Sequence, residues 1–491
     1  MPYSASDYLL EDHPRTLFPL NTTKIVVQHC ADRVLKYVYE KVLDQSEKSH
    51  SFLNQTVCYS SKRGLHLRRT VQLDPVASIF LYDVVLRNRG SFRADFRDNR
   101  KSFGFRFQDG KPAPLPSSFS SFRSAISQAK SEYAYSLKID VSNYFNSLYH
   151  HDVVAWFSSG GRSLDDAERL GQFLRQINGG RSAGCLPQGL HPAKVLGAEF
   201  LKFVDNSMLL RSELSLRFMD DFYIYSNSEA TLSADFVTVQ RLLGDKSLSV
   251  NSAKTKFGET GEVDIPAEVD EIRSSLLRIR KTLIEISGTE IELEKPEVIE
   301  LSDEQVEYLI DLLGDPDIDE SDAELVLSLL GERGDAVLEK FGLFLDKFPS
   351  LSKRIYGFCQ HVTDREALSD LVRDFVRDAD HVTEDQLFWM AKVAEDYLRD
   401  TSSYSSVIDL LYGHSNASNV SKAKILEIPD NRFGLPEMRL EHLRTGSSDW
   451  LSWSSAIGTR SENPIQRNHI LGYFSNSSSM NHLIAECVKS L

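Results

Sequence analysis

The segment LSLRFMDDFYIYS, residues 214–226, carries the tightest constraint in the chain. Two adjacent carboxylates, Asp220 and Asp221, sit inside a strand-like run of Leu216, Phe218, Met219, Phe222, Ile224 and Tyr225. Like charges in apolar surroundings repel and lose hydration, so either one pKa rises or a cation is present. A hairpin turn accounts for the pair with no chemistry at all, because Asp favours turns.

A second acidic position favours the cation. In YSLKIDVSNYFNSLYHH, Asp140 ends a short apolar strand built on Leu137 and Ile139, and VSNYFNSL reads as a turn entering a helix. A carboxylate at a strand end, facing a carboxylate pair on a neighbouring hairpin, is a divalent-metal geometry. Mg²⁺ takes a few carboxylates together with phosphate oxygens and water. Two such ions about 4 Å apart activate a 3′-hydroxyl and stabilise a leaving pyrophosphate. Phosphoryl transfer depends mostly on that positioning and charge neutralisation.

Two more elements flank the pair. GCLPQGLHPAKVLGAEFLKFVD places the turn Leu186-Pro187-Gln188-Gly189 before a long helix. Gly189 admits close backbone approach to a ligand, and Gln188 can hydrogen-bond a base or sugar edge. LSVNSAKTKF then sets Lys254 and Lys256 after a short strand, where a lysine can meet a triphosphate or the departing pyrophosphate.

The four segments resemble, in order and spacing, the palm of a reverse transcriptase. Asp140 with VSNYF resembles motif A, LPQG motif B, Phe218-Met219-Asp220-Asp221 the motif C signature Tyr-x-Asp-Asp, and LxVNxxKT (248–255) motif D. The matched region runs from about residue 60 to 257. The resemblance implies an α+β right-hand polymerase, fingers and a split βαβ palm, followed by an all-α helical-repeat domain. It implies RNA-directed DNA synthesis from dNTPs with two Mg²⁺ ions (Mn²⁺ as the alternative), held by Asp140, Asp220 and Asp221 with Val141. It makes Phe145 the ring that screens a nucleotide 2′-hydroxyl. It puts Gln188, Gly189, Lys254 and, in the fingers, Arg68 and Arg69 at the incoming nucleotide, where a guanidinium can fork onto phosphate oxygens. Phe218 replaces the usual Tyr, and His191-Pro192-Ala193 stands where relatives have a small or hydroxylated run.

Phe145-Asn146-Ser147-Leu148-Tyr149-His150-His151 further resembles the F-x-S-I-Y-T-H continuation of bacterial defence-associated, abortive-infection-like reverse transcriptases. That subfamily implies antiphage defence, a helical C-terminal domain without a nuclease, and trimers or hexamers. It also implies an RNA template, in some relatives a dedicated non-coding RNA, a DNA product, and in some a protein hydroxyl as primer. Tyr8, one of 18 tyrosines, is a candidate primer in a short N-terminus read as mobile. Two rivals stand beside this reading: a template-independent terminal transferase of the same fold, and an inactive nucleic-acid-binding scaffold. A fused RNase is disfavoured, because Arg377-x3-His381 has the wrong spacing for its Arg-x4–6-His signature.

Charge agrees only when divided. The net −15 of the 491 residues argues, as a whole, against a nucleic-acid binder. Yet residues 1–260 sum to +6, residues 261–491 to −21, and residues 61–130 alone to +9. The basic stretch mixes Lys101 and Arg106 with Phe80, Phe92, Phe96, Phe103, Phe105 and Phe107, basic groups that can track a backbone beside rings that pack a core.

The organisation expected is an N-terminal and fingers region (1–132), a palm (133–257), an acidic linker or edge (258–290) and a helical domain (291–491). Residues 22–44 carry a helical pattern, and KPAPLPSSFSS (111–121) reads as a loop. EQVEYLIDLLG, DAELVLSLLGE, AVLEKFGLFLDKF, REALSDLVRDFVRDA and EDQLFWMAKVAEDYL read as stacked helices, a solenoid over a plain bundle. At least one of His150 and His151 is read as capping or packing the palm helix, and Trp389, Trp450 and Trp453 as core or interface anchors. The five scattered cysteines argue against disulfides and a zinc site and favour a reducing cytoplasm. No apolar run is long enough to span a membrane, and the N-terminus lacks a signal-peptide pattern.

Overall fold

In the computed structural model the described residues are 3–44, 49–92, 97–160, 162–260, 276 and 301–491. Most of the acidic segment 258–290, and Phe96, lie outside them.

A five-stranded sheet forms the centre. Numbering strands along the chain, β1 (Thr56–Lys62) and β2 (His66–Gln72) make a separate ribbon, and β4 (Phe107–Gln108) and β5 (Lys111–Pro112) a minimal hairpin. The central sheet has the order β3 (Arg100–Phe103), β7 (Leu214–Phe218), β8 (Asp221–Ser226), β6 (Tyr135–Asp140), β9 (Lys256–Glu259). Only β3 and β7 run parallel; the other pairs are antiparallel. Residues alternate between the two faces along each strand. The register Phe218↔Asp221↔Asp140 puts these three on one face with Leu216, Tyr223 and Lys138. Leu137, Ile139, Phe222 and Ile224, all wholly buried, belong to the other.

The helix Leu115–Glu132 covers one end of the carboxylate-bearing face. Its Phe119 and Phe122 rings lie 5.2 and 5.3 Å from the Phe218 ring, and Phe122 lies 5.4 Å from Phe103. The loop expected over 111–121 is therefore corrected. The helix starts at Leu115, and Pro116 falls in its first turn, where the missing N–H costs nothing. The expected N-terminal helix is observed as Asn21–Tyr37, continued by a wider turn over Val38–Val42.

The acidic half stacks its helices in two layers. Ser352–Phe358, Glu384–Val393, Asn419–Leu426, Trp450–Gly458 and Ser479–Lys489 pack each on the next. Phe341–Lys347, Arg365–Asp378 and Tyr404–Gly413 do the same alongside. This succession of next-but-one contacts is the solenoid arrangement. Trp389, Trp450 and Trp453 are buried within it.

The first layer also grips the N-terminal region. The helix Asn21–Tyr37 rests on Trp450–Gly458 and Ser479–Lys489, and β1 on Glu384–Val393. Glu427 accepts from the Asn21 N–H at 2.7 Å and the Thr22 N–H at 2.8 Å, so a carboxylate caps the positive end of that helix. Lys424, wholly buried, lies 2.8 Å from Glu427 and 2.5 Å from Glu395. The ribbon edge is closed similarly: the N–H groups of Tyr59 and Ser61 donate to Glu384 and Asp385 at 3.0 and 3.1 Å.

Candidate active site

Asp140 ends β6, and the chain around it is fixed by its neighbours. Its carbonyl accepts from the Asn251 N–H at 2.7 Å, and the Ser142 N–H donates to the Ser249 carbonyl at 2.7 Å. Val141 bridges Val250. Asn143 takes the left-handed conformation, φ +47°, which its short polar side chain tolerates. That kink turns the chain into the one-turn helix Tyr144–Ser147. The expected turn into a helix is thus present.

Asp220 occupies the two-residue turn joining β7 to β8, and Asp221 opens β8 directly opposite Asp140. Met219, at φ +56°, carries the strain of the turn, about 1–2 kcal/mol for a residue with a Cβ. Burial, then the charges of Asp221 and Asp140, push the Asp220 carboxyl up to about 6. Burial also raises Asp221, with Asp140 adding to it and Lys138 opposing. Lys254 Nζ lies 3.1 Å from Asp140 Oδ1, and Lys138 Nζ 3.9 Å from Asp221 Oδ1. Among the described residues no three His, Cys, Asp or Glu side chains already enclose a common point. The donor chemistry nevertheless fits a hard divalent cation: Asp140 and Asp221 face each other across two strands, Asp220 stands in the adjoining turn, and burial together with the neighbouring charges raises a carboxyl pKa that a cation would lower.

Phe145, nearly buried, packs its ring beside Gly197 of the helix His191–Phe200; a Cβ at Gly197 would come 3.3 Å from it. Tyr144 Oη donates to the Gly197 carbonyl at 2.7 Å, fixing motif A against the helix that follows motif B. Gly189, at φ +103°, does permit a close approach, and the group that makes it is Leu17; an added Cβ would meet its side chain at 3.1 Å. The Gln188 carbonyl accepts from Thr70 Oγ1 at 3.0 Å. Arg69 on β2 donates to Asn146 Oδ1 at 2.9 Å, and Asn146 Nδ2 returns a bond to the Arg69 carbonyl. Arg68 pairs in register with Ser60 and, one residue away, faces the opposite side of the ribbon. The structure therefore brings Asp140, Asp220, Asp221 and Lys254 together and ties Arg69 to motif A, while Lys101 and Arg106 stand exposed outside this cluster. Phe105 is buried and Phe103 and Phe107 half-buried, so these rings pack the core.

The N-terminus is not a mobile tail. Tyr8 is 1% exposed in the helix Ala5–Asp12, and its hydroxyl lies 2.5 Å from His191 Nδ1. Asp12 accepts from the His191 N–H at 2.8 Å and from the Tyr82 hydroxyl. Burial depresses the His191 imidazole to about 4, so it stays neutral, and raises the Tyr8 phenol. A hydroxyl so enclosed cannot serve as a primer, which corrects the expectation for Tyr8. His191 braces the LPQG loop and does not face solvent. His150 is buried, bonded to the Ser182 carbonyl through its backbone and at 3.3 Å through Nδ1.

Sequence reasoning missed Asn146 and Asp12. Asn146 lay within the motif A segment itself; Asp12 gave no signal, being 179 residues from its partner.

Comparison with known proteins adds an independent observation. Residues 95–309 match the family described as reverse transcriptase (RNA-dependent DNA polymerase). That span starts after the ribbon carrying Arg68 and Arg69. No curated protein matches the chain. Among solved structures, telomerase from Candida albicans in complex with a TWJ fragment of telomeric RNA shares 12% identity at a TM-score of 0.29. That alignment covers 78% of this chain and 69% of that one. Apo telomerase from Candida tropicalis shares 11% at 0.31, over 94% and 73%. Scores this low carry no argument about function. With its motifs in order on a five-stranded palm sheet, the region 95–309 is a reverse transcriptase domain, and the enzyme is an RNA-directed DNA polymerase.

Proposed function

We propose that the chain copies an RNA template into DNA by adding dNTPs to a 3′-hydroxyl at the palm carboxylates, as part of antiphage defence. The observation that carries the chemical part is the register: Asp140 directly opposite Asp221 on the same sheet face, with Asp220 in the adjoining turn. Two Mg²⁺ ions (or Mn²⁺) at Asp140, Asp220, Asp221 and the Val141 carbonyl would activate the hydroxyl and neutralise the leaving pyrophosphate. Lys254, 3.1 Å from Asp140, would then be free to meet the phosphates. Gln188 and Gly189 belong to the loop proposed to receive the nucleotide, which Thr70 ties to the strand carrying Arg68 and Arg69, the charges proposed to meet its phosphates. Phe145 narrows the sugar pocket against ribonucleotides; replacing it with Ala raises ribonucleotide incorporation, and an unchanged dNTP preference would remove the assignment.

The defence role, a dedicated non-coding RNA template, assembly into trimers or hexamers and a cytoplasmic site of action rest on the FNSLYHH segment and on the helical half. No helix of the described residues is long and apolar enough to cross a membrane. The acidic half is proposed to organise the oligomer and not to bind nucleic acid. The test is to purify the chain with its bound nucleic acid, supply labelled dNTPs and Mg²⁺, and sequence both template and product. A product complementary to a bound RNA supports the reading. Homopolymeric or random DNA replaces it with terminal transfer, and no incorporation replaces it with the scaffold.

A further inference from the structure

Beneath the catalytic turn, on the core face of the sheet, lies a charged side chain that the chemistry above does not use. Arg217 on β7 is wholly buried. Its Nε and Nη2 donate to the same carboxylate oxygen of Asp205 at 2.8 and 2.5 Å, and its Nη1 donates to the Met219 carbonyl at 2.8 Å. Asp205, 3% exposed, ends the short helix Lys202–Asp205 that follows His191–Phe200. A buried ion pair is a poor way to gain stability, since desolvation offsets most of the attraction. Its retention inside LSLRFMDD calls for another reason.

We propose that Arg217, held by Asp205, is the positioning residue of the catalytic turn. The Met219 carbonyl belongs to the peptide plane that precedes Asp220. Fixing that plane fixes ψ of Met219 and the place of the Asp220 Cα; with Asp221 held in β8 on the other side, the direction of the Asp220 Cα–Cβ bond is set. Met219 sits at φ +56° with a side chain, so the turn would relax toward other conformations without an anchor. The rigid guanidinium fork supplies the anchor. It spends two donors on Asp205 and one on the turn, a division a lysine cannot reproduce. Arg217 touches neither metal nor substrate; it acts on the metal ligand from behind, as outer partners orient ligands in metal centres generally. Because Asp205 ends the short helix Lys202–Asp205, the anchor also ties that helix to the metal-side turn.

This inference rests on the polymerase reading, and its test separates the two. Three proteins are compared: wild type, Arg217→Lys, and Arg217→Met with Asp205→Leu, which removes both charges together, so that no buried charge is left unpaired and the Met219 carbonyl loses its donor. Mn²⁺ binding is followed by electron paramagnetic resonance without nucleotide, dNTP incorporation by steady-state kinetics, and folding by thermal melting. The expected result is roughly tenfold weaker Mn²⁺ binding and a kcat lower by about tenfold or more in the double variant, at nearly unchanged dNTP KM and melting temperature. Arg217→Lys falls between it and wild type. Wild-type Mn²⁺ affinity and kcat in a folded double variant overturn the inference. If the double variant does not fold, Arg217→Lys decides alone, and wild-type values there overturn it equally. Wild-type protein that neither binds Mn²⁺ nor incorporates dNTPs overturns the polymerase reading instead.

Discussion

Two clusters in this chain have almost the same composition and opposite character. Where the helical half meets the helix Asn21–Tyr37, Lys424 joins Glu395 and Glu427, and no side chain of the three is more than 7% exposed. In the palm, Asp140, Asp220 and Asp221 gather with Lys254 and Lys138, whose side chains are 62% and 39% exposed. In the first cluster the chain itself supplies the donors: backbone N–H groups of Asn21 and Thr22, the Thr22 hydroxyl, the Asn21 amide and the lysine. Burial disfavours the Lys424 charge, but Glu395 and Glu427 more than compensate and hold its pKa above the ordinary range. In the second cluster burial, and after it the charges of Asp221 and Asp140, outweigh the help from Lys254, and the Asp220 carboxyl rises to about 6. What separates the two clusters is the donors that face their carboxylates more than the number of acids.

The sharpest break would come from Lys424→Met. It strands two buried carboxylates and should cost about 3–5 kcal/mol, read as a large fall in the thermal midpoint. A midpoint like the wild type would show that the cluster is no lock. Removing a charge from the palm should do the reverse. Asp220 has a raised native pKa, so its ionised form is penalised by folding once the pH exceeds both pKa values. Asp220→Asn in EDTA at neutral pH should therefore stabilise, by up to about 3 kcal/mol, and a lower midpoint would contradict this.

Next in size is a pair of buried neutral imidazoles. Burial depresses His13 and His191 to about 4. Above about pH 6.5 both are neutral in either state; as pH falls below that the unfolded chain takes up protons first, and stability is lost down to about pH 4. The loss at pH 5 should be about 2 kcal/mol for each, and His13→Asn or His191→Asn should flatten the midpoint change between pH 7 and 5. An unaltered slope would count against buried neutral imidazoles. The smallest effect belongs to Arg63, 59% exposed and 3.5 and 3.7 Å from Glu320 and Glu324. Arg63→Ala should cost less than about 1 kcal/mol and less still in salt; a larger loss would make the exposed rim part of the lock.

Legibility in the sequence divides along the same line. Asp140, Asp220 and Asp221 stood out because strand alternation is local, and a charge that breaks it is visible within a dozen residues. Most of the solenoid helices were legible for a similar reason, their apolar spacing being short-range; AVLEKFGLFLDKF, read as one helix, is split between Gly334–Leu338 and Phe341–Lys347. The lock was not legible: Glu427 meets Asn21 across 406 residues, and nothing near either one announces the other. Tyr8 was misread because burial by His191, 183 residues away, leaves no local mark. Leu115 was misplaced in a loop because Pro and Ser, common in loops, also suit a first helical turn. Arg217 was in plain view in LSLRFMDD, but only the third dimension shows which carbonyl it holds.

The central claim is that the palm cluster is left electrostatically open in order to make DNA. Its most direct test is labelled dNTP incorporation with Mg²⁺ by the chain carrying Asp220→Ala and Asp221→Ala, beside its melting temperature. The account predicts that incorporation is abolished while the melting temperature stays level or rises. Full incorporation by the folded double variant would contradict it.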